Sequence, residues 1–403
     1  MKRTHSLYII IYEYMIDRED LDMQFTFGKR ESQLIKGIAI IAMFYHHFFG
    51  FSSWLSSECN FAHTYIGGRC IESDIASFCK ICVGIYVFVS GYALFLQKSN
   101  FSNIKWMLKR ITVFLCNYWM IFFVFIIFGV IFREPFPSIG RFLLQCFGIS
   151  TGTVFDWSYF DAIHPVFAWY VSFYILFIVI SPLLMKICKF NFVVDLFIVS
   201  GVLFGINFLA GTILPSRFAI IKILIATFAT WGHIGMIGFL FAKYNMFDFI
   251  HKILTKYLSD MVLFVLLAVV IYHMYHLWNV EGKWYIYESD IVKVSYFAIF
   301  TPIFIYAVIY ILNYINCKAL NSILISLSNE STNMWFLHGL FFTPKKTIQW
   351  IAYLPKHPLL ILVWTLALMY GCSIAIKHIF NWLCSVVRKR IIPIVKKINI
   401  QKH

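Results

Sequence analysis

Residues 31–51 read ESQLIKGIAIIAMFYHHFFGF, a mostly apolar run with Lys36 near its start and His46 and His47 near its end. On a helix turning about 100° and rising about 1.5 Å per residue, Lys36 and His47, eleven positions apart, share a face to within roughly 20°. They are separated by about 16 Å along the axis. His46 points about 100° away, so the two histidines are not equivalent. Placing an ionisable group in lipid costs a few kcal/mol unless it meets a polar cavity or partner. Two readings are open. One is a cavity with Lys36 at its inner mouth and His47 near mid-depth; the other is a snorkelling lysine and a histidine bonded to a neighbouring helix.

The rest of the chain shows what surrounds this run. Of 403 residues, 61% are hydrophobic and 13% charged, against about 45–50% and about 25% in a soluble domain. With a mean hydropathy of +0.77 and repeated apolar runs near 20 residues, the chain reads as an all-α, polytopic integral membrane protein. About ten transmembrane helices are expected, at residues 33–51, 76–96, 111–132, 165–187, 193–211, 219–242, 260–278, 291–313, 332–350 and 359–383. Residues 141–148 (RFLLQCFG) are too short to cross and read as an interfacial or re-entrant piece.

Lysine and arginine gather in alternate loops, at Lys29 and Arg30, Lys105 to Arg110, Lys186 and Lys189, and Lys243 to Lys256. Acids gather in the others: Glu58, Glu72 and Asp74, then Glu134, Asp156 and Asp161, then Glu281, Glu288 and Asp290. The positive-inside rule then places both termini in the cytoplasm. Lys345, Lys346 and Lys356 break the pattern on the outer side. The expected parts are a cytoplasmic N-terminal segment (1–32), a membrane domain (33–387) and a basic tail (388–403). No small-residue cleavage site follows the apolar start, so it is not read as a signal peptide, and Met23 offers a second start site.

The net charge of +15 is spread in short clusters between spans, which argues against a nucleic-acid partner. Cys79 and Cys82 sit inside an apolar helix and read as packing, and no other cysteines show zinc-type spacing, so no metal is expected. Cys59 and Cys70 share one short polar loop and could pair if it faces an oxidising side. His273 and His276, beside Tyr272 and Tyr275, read as an outer aromatic belt.

A lysine, ten residues and a histidine within KGIAIIAMFYHH resemble the first-span pattern of the acyltransferase-3 family of membrane-bound acyltransferases. The resemblance continues in order. CVGIYVFVSGYALFL (82–96) resembles a second-span SGY segment, and LKRITVFLCNYW (108–119) a basic entry to the third span, with Asn117 where a proline is common. AWYVSFYILFIVISPLL (168–184) is similar to an aromatic span ending in proline. LSNESTNMWFLHGLFF (327–342) resembles a late GKHSxNxWxxH segment, with Ser328 and Glu330 in place of the usual glycine and histidine.

The resemblance implies transfer of an acyl group, usually acetyl, from cytoplasmic acetyl-CoA to a carbohydrate hydroxyl. It implies that His47 is the essential histidine and Lys36 its motif partner, with His338 a further catalytic candidate. Lys36, Lys105, Lys109 and Arg110 are candidates for the phosphates of the donor, since guanidinium and ammonium groups bind phosphate. Trp169, Tyr170, Glu330, Ser331 and Asn333 are candidates for the acceptor.

The wording is similar to that of bacterial capsule and exopolysaccharide O-acetyltransferases. That implies a plasma-membrane enzyme whose partners are membrane lipid and a polysaccharide or lipid-linked glycan. A transporter or flippase, or a polysaccharide polymerase, is the alternative. The first would show an internal repeat, which is not seen, and the second a basic outer loop where this chain has acids. Nothing in the sequence sets an oligomeric state.

Overall fold

The structure, a computed structural model, describes residues 25–51, 54–97, 103–149, 163, 168–215, 218–280 and 291–386. The second start site at Met23, the basic tail at 388–403 and the acids Asp156, Asp161, Glu281, Glu288 and Asp290 lie outside the described residues. Elements are numbered here in chain order. Helix α1 spans Lys29–Phe49, followed by a hairpin of β1 (Tyr65–Ile66) and β2 (Arg69–Cys70). Then come α2 (Ile71–Phe78), α3 (Ile81–Leu96), α4 (Ile104–Phe132), the short α5 (Ile139–Gln145) and α6 (Trp169–Ile187). Next are α7 (Phe192–Ile213), α8 (Ala219–Lys243), α9 (Met246–Tyr257), α10 (Asp260–Val280) and α11 (Ile291–Ile315). The chain closes with α12 (Lys318–Leu337), a 3-10 segment His338–Phe342, α13 (Gln349–Ala352) and α14 (Pro358–Val386).

This is an all-α, polytopic membrane protein. Among the described residues, eight helices are long and apolar enough to cross a bilayer: α2 with α3, then α4, α6, α7, α8, α10, α11 and α14. Two further helices, α1 with 21 residues and α12 with 20, are each about 30 Å long but carry too many polar side chains to meet that standard. Helix α1 is enclosed by the bundle, whereas α12 buries one side and leaves Ser322, Ile323, Asn329 and Thr332 exposed. In α8, 78% of the apolar window is buried, against 17% in α7. Accordingly α8 and α3 form the centre, while α7, α10 and α14 present leucine, valine and phenylalanine to lipid.

Close backbone approach explains that centre. A Cβ on Gly91 of α3 would run into the Gly235 carbonyl of α8, and one on Gly238 into the Phe88 carbonyl. Small residues let membrane helices meet backbone to backbone, where dispersion and packing replace the hydrophobic drive that lipid removes.

Nine of the expected spans lie on these helices. The ninth in order, 332–350, does not. Its helix begins at Lys318 and ends at Leu337, well before Pro344. Nine polar residues from Asn321 to Asn333 depress hydropathy over most of α12, which sets the start of the apolar run in the sequence too late. The 141–148 segment forms α5 and the turn after it, too short to cross. The amphipathic α9, with Phe247 buried and Tyr257 exposed, is an addition that sequence reading did not anticipate.

Ordered structure also begins ahead of residue 33. Phe25 and Phe27 are buried, Phe25 against Tyr306 at 5.0 Å and Phe27 against Tyr92 at 4.9 Å. The Gly28 amide donates to Glu31 Oε2 at 3.0 Å, a cap that satisfies one of the orphan donors of the first helical turn.

At the opposite end of α1 the loops are tied together. Gly67 and Gly68, at φ 58° and 79°, make the two-residue turn of the hairpin. The Glu72 carboxylate accepts from the Thr64 amide at 3.0 Å and from the Cys70 thiol at 3.3 Å. Cys59 and Cys70, which could have paired on an oxidising side, are both free thiols, with Cys59 buried near Gln349 Oε1. Buried Glu134 accepts from Thr343 at 3.0 Å, Thr347 at 2.8 Å and the Lys345 amide at 3.2 Å. The Lys345 ammonium donates to the Arg133 carbonyl. The basic loop that breaks the charge pattern is therefore folded around a buried acid.

Candidate active site

Helices α1 and α12 pack along one another, closely enough that a Cβ on Gly37 would meet the Leu324 carbonyl. Their C-terminal ends meet at the two histidines. His47 stands in the last turn of α1 rather than midway along it, and His338 caps α12. His338 Nε2 lies 3.1 Å from His47 Nδ1, and the rings stack with centroids 4.8 Å apart. Both side chains are buried.

The partners fix which nitrogens carry protons. His338 Nδ1 bonds the Trp335 carbonyl, and a carbonyl can only accept, so Nδ1 is the protonated nitrogen of His338. Its Nε2 is then an acceptor, and His47 Nδ1 must donate to it. The Met43 thioether, 3.1 Å from the same His47 Nδ1, is also an acceptor and agrees. The lone pair of His47 therefore resides on Nε2. A main-chain carbonyl thus orients one histidine, and that histidine orients the other.

His46 is built differently. Its Nδ1 donates to the Ala76 carbonyl at 2.7 Å, fastening α1 to α2, and its Nε2 is buried with no partner. The two neighbouring histidines therefore have different partners.

An aromatic column leads away from the pair. Tyr86 meets Trp335 edge-on at 5.1 Å, and its hydroxyl donates to the Lys36 carbonyl at 3.3 Å. Tyr170 lies 5.8 Å from Trp335 and 6.1 Å from Tyr174, and its hydroxyl sits 3.0 Å from Ser90 Oγ. Arg110 closes the column, with Nε donating to Tyr174 at 2.9 Å and Nη1 to Gln97 at 2.7 Å. Its guanidinium also lies over Trp106. Lys36 is half-buried and makes no ion pair among the described residues. Lys105 and Lys109 are exposed on the outside of α4, so of that basic cluster Arg110 alone turns inward.

The expected acceptor residues divide. Tyr170 joins the column. Trp169 is buried against Trp231 at 5.5 Å. Glu330 accepts from Ser373 at 2.7 Å and Lys377 at 2.8 Å, which links it to α14 rather than to the histidines. Asn333 Oδ1 takes the Asn117 amide at 3.2 Å, and Ser331 donates to the Ser328 carbonyl. Sequence reading missed Phe51 and Trp54. Their rings stack at 4.0 Å, and both lie parallel to the His47 ring with centroids 6.3 Å away. Gln349 Nε2 holds the Trp54 carbonyl at 2.9 Å, and Tyr353 donates to the Phe48 carbonyl at 2.7 Å. Burial holds the Tyr353 phenol well above its ordinary range, so it remains a donor.

The histidine pair thus lies buried where two polar helices meet inside an apolar bundle. The acyltransferase-3 profile, described as an acyltransferase domain, matches residues 30–378. That is most of the chain: it belongs to the acyltransferase-3 family and is a membrane acyltransferase. No curated protein and no solved structure matches it.

Proposed function

We propose that the chain is an O-acetyltransferase of the plasma membrane that moves acetyl from cytoplasmic acetyl-CoA to a hydroxyl of a cell-surface polysaccharide or its lipid-linked precursor. The observation that carries this reading is the tautomer relay from the Trp335 carbonyl through His338 to His47, which leaves the His47 Nε2 lone pair as general base. In this scheme His47 Nε2 takes the proton of the acceptor hydroxyl as its oxygen bonds the thioester carbon. As the carbon–sulfur bond breaks, the same nitrogen returns the proton to the leaving thiolate. His338 holds the imidazole in position and shares the charge that forms. Lys36, half-buried and without an ion-pair partner among the described residues, supplies a cation for a donor phosphate. Arg110 marks the cytoplasmic entry of the aromatic column. The stacked Phe51 and Trp54, on the far side of His47, offer a face for a sugar ring.

The direct test is release of free CoA thiol by purified protein supplied with acetyl-CoA and glycan. It is paired with NMR of surface polysaccharide from cells with and without the gene. Loss of O-acetyl signals with the gene, and their return with wild type but not His47→Ala, is the expected result. Loss of the whole polysaccharide without the gene, with no CoA release by the purified protein, would favour a transporter or polymerase. Orientation is checked by cysteines at Lys105 and Arg69 in a background without reactive thiols. The first should label only after permeabilisation and the second in intact cells.

A further inference from the structure

Away from the histidine pair, three side chains of different metal-binding chemistry meet on the hairpin at the C-terminal end of α1. His63 lies ahead of β1, Cys70 closes β2, and Glu72 stands in the first turn of α2. Their ligand atoms all fall within 4.8 Å of one another. His63 Nδ1 is 3.6 Å from the Cys70 sulfur, and that sulfur is 3.3 Å from Glu72 Oε2. A tetrahedral zinc ion, with bonds of about 2.3 Å to sulfur and about 2.0–2.2 Å to nitrogen and oxygen, sets its ligands about 3.3–3.6 Å apart. Two edges of that tetrahedron are already in place. His63 is exposed, so its ring can turn to close the third.

The carboxylate gives an independent reason. Glu72 is buried, and among the described residues no lysine or arginine pairs with it, whereas Asp74 takes Arg69 at 2.9 Å. A buried carboxylate costs stability unless a charge or a metal meets it. The Thr64 amide donates to it at 3.0 Å, the kind of outer contact that fixes the aim of a ligating carboxylate. Little else holds the strands. Each has two residues, Tyr65 and Ile66 are exposed, and a two-stranded hairpin alone is marginal in water. The ligands come from three residue types at His-x6-Cys-x-Glu spacing, which is why cysteine spacing gives no sign of them.

We propose that His63, Cys70 and Glu72 form a zinc site that pins the hairpin to the start of α2, with a fourth position open to solvent. Thiolate and imidazole favour zinc over calcium or magnesium, which take oxygen ligands. On binding, the Cys70 S–H bond breaks, its proton leaves to solvent and the sulfur lone pair bonds the ion. Thiolate, carboxylate and the dication then sum to zero charge, so the buried Glu72 is balanced in place. Phe61 carries the effect inward. Its ring lies 4.1 Å from the His63 ring and packs on Phe49 and Tyr353, and Tyr353 donates to the Phe48 carbonyl, next to His47. The ion thus braces the outer loop from its edge and holds no reacting atom.

Full-length protein in nanodiscs, stripped with chelator, is titrated with Co²⁺ and then Zn²⁺. Wild type should develop a sulfur-to-cobalt charge-transfer band that saturates at one ion per chain and is abolished by Zn²⁺. Zn²⁺ should also slow amide exchange across residues 62–72. Cys70→Ser should lose the band, and His63→Ala should bind Zn²⁺ at least about tenfold more weakly. Cys317→Ser, at an exposed thiol elsewhere, should match wild type. Because His63 is exposed, its variant reports even where Cys70→Ser folds poorly. No band in wild type, a band that survives Cys70→Ser, or unchanged Zn²⁺ affinity in His63→Ala would each overturn the site. Exchange slowed only outside 62–72 would put the ion elsewhere and overturn it as well. Neither readout uses acetyl-CoA, so each result stands apart from the acyl-transfer reading.

Discussion

Two helix pairs at the heart of the molecule solve opposite problems. Helices α3 and α8 meet backbone to backbone through Gly91, Gly235 and Gly238 and are mostly apolar, with His233 the one histidine between them. Helices α1 and α12 also approach closely, at Gly37, but the surfaces they bring together carry His47, Ser328, Ser331, Trp335 and His338. The first pair is what a bilayer rewards. The second is tolerated because the first builds a wall around it, so that polar groups at membrane depth face protein instead of lipid. Structure and chemistry are thereby assigned to different contacts.

That division can be broken by mutation, and the largest expected effect lies in the polar pair. His47→Ala should lower acyl transfer by about 10²–10⁴-fold at unchanged expression and melting temperature. His46→Ala should keep transfer within about fivefold per folded molecule, because His46 serves the Ala76 carbonyl. Equal losses in both would end the assignment of separate roles. His338→Ala follows, at about 10–10²-fold in kcat with little change in KM for the donor. A change in KM alone would make His338 a binding group instead of the residue that orients His47.

The apolar pair should respond in the reverse sense. Gly235→Leu drives a side chain into Phe177 and should cost several kcal/mol, read as loss of folded protein in detergent. Whatever fraction folds should retain its specific activity. Reduced specific activity in the folded fraction would show that the wall and the site are not separable.

Lys36→Ala should raise the Kd for CoA about tenfold or more, and Lys36→Arg should recover most of it. Unchanged affinity would remove the phosphate role. The smallest effect is expected at Glu330. Its partner Lys377 is half exposed, so Glu330→Gln should lower stability by about 1 kcal/mol or less and leave transfer intact. A large loss of activity there would bring Glu330 back to the acceptor.

What could be read from sequence follows the same division. The apolar spans were legible because twenty consecutive apolar residues have few other uses. The start of α12 was not, because Asn321, Ser328 and Glu330 depress its hydropathy and their shelter is built by distant helices. The Lys36–His47 spacing and the inequivalence of His46 were legible because both lie on one helix with a fixed period. The pairing of His47 with His338, the turn of Glu330 towards Ser373 and Lys377, and the burial of Trp169 on Trp231 depend on which helix becomes whose neighbour. Phe51 and Trp54 did carry a local signal, two aromatics just past the histidines. Only the loop's return over His47, fastened by Gln349 and Tyr353, gives them meaning.

The contact between His47 and His338 joins residues 291 apart in the chain. At a synthesis rate of about 5–20 residues per second, the first of them waits on the order of 15–60 s for the second. Over the same interval His46 gains its Ala76 partner, only 30 residues further on, whereas His47 still waits for His338. The nascent chain must therefore shelter a polar helix for most of its own translation. A product released before α12 emerges would leave His47 without the partner it has in the complete fold.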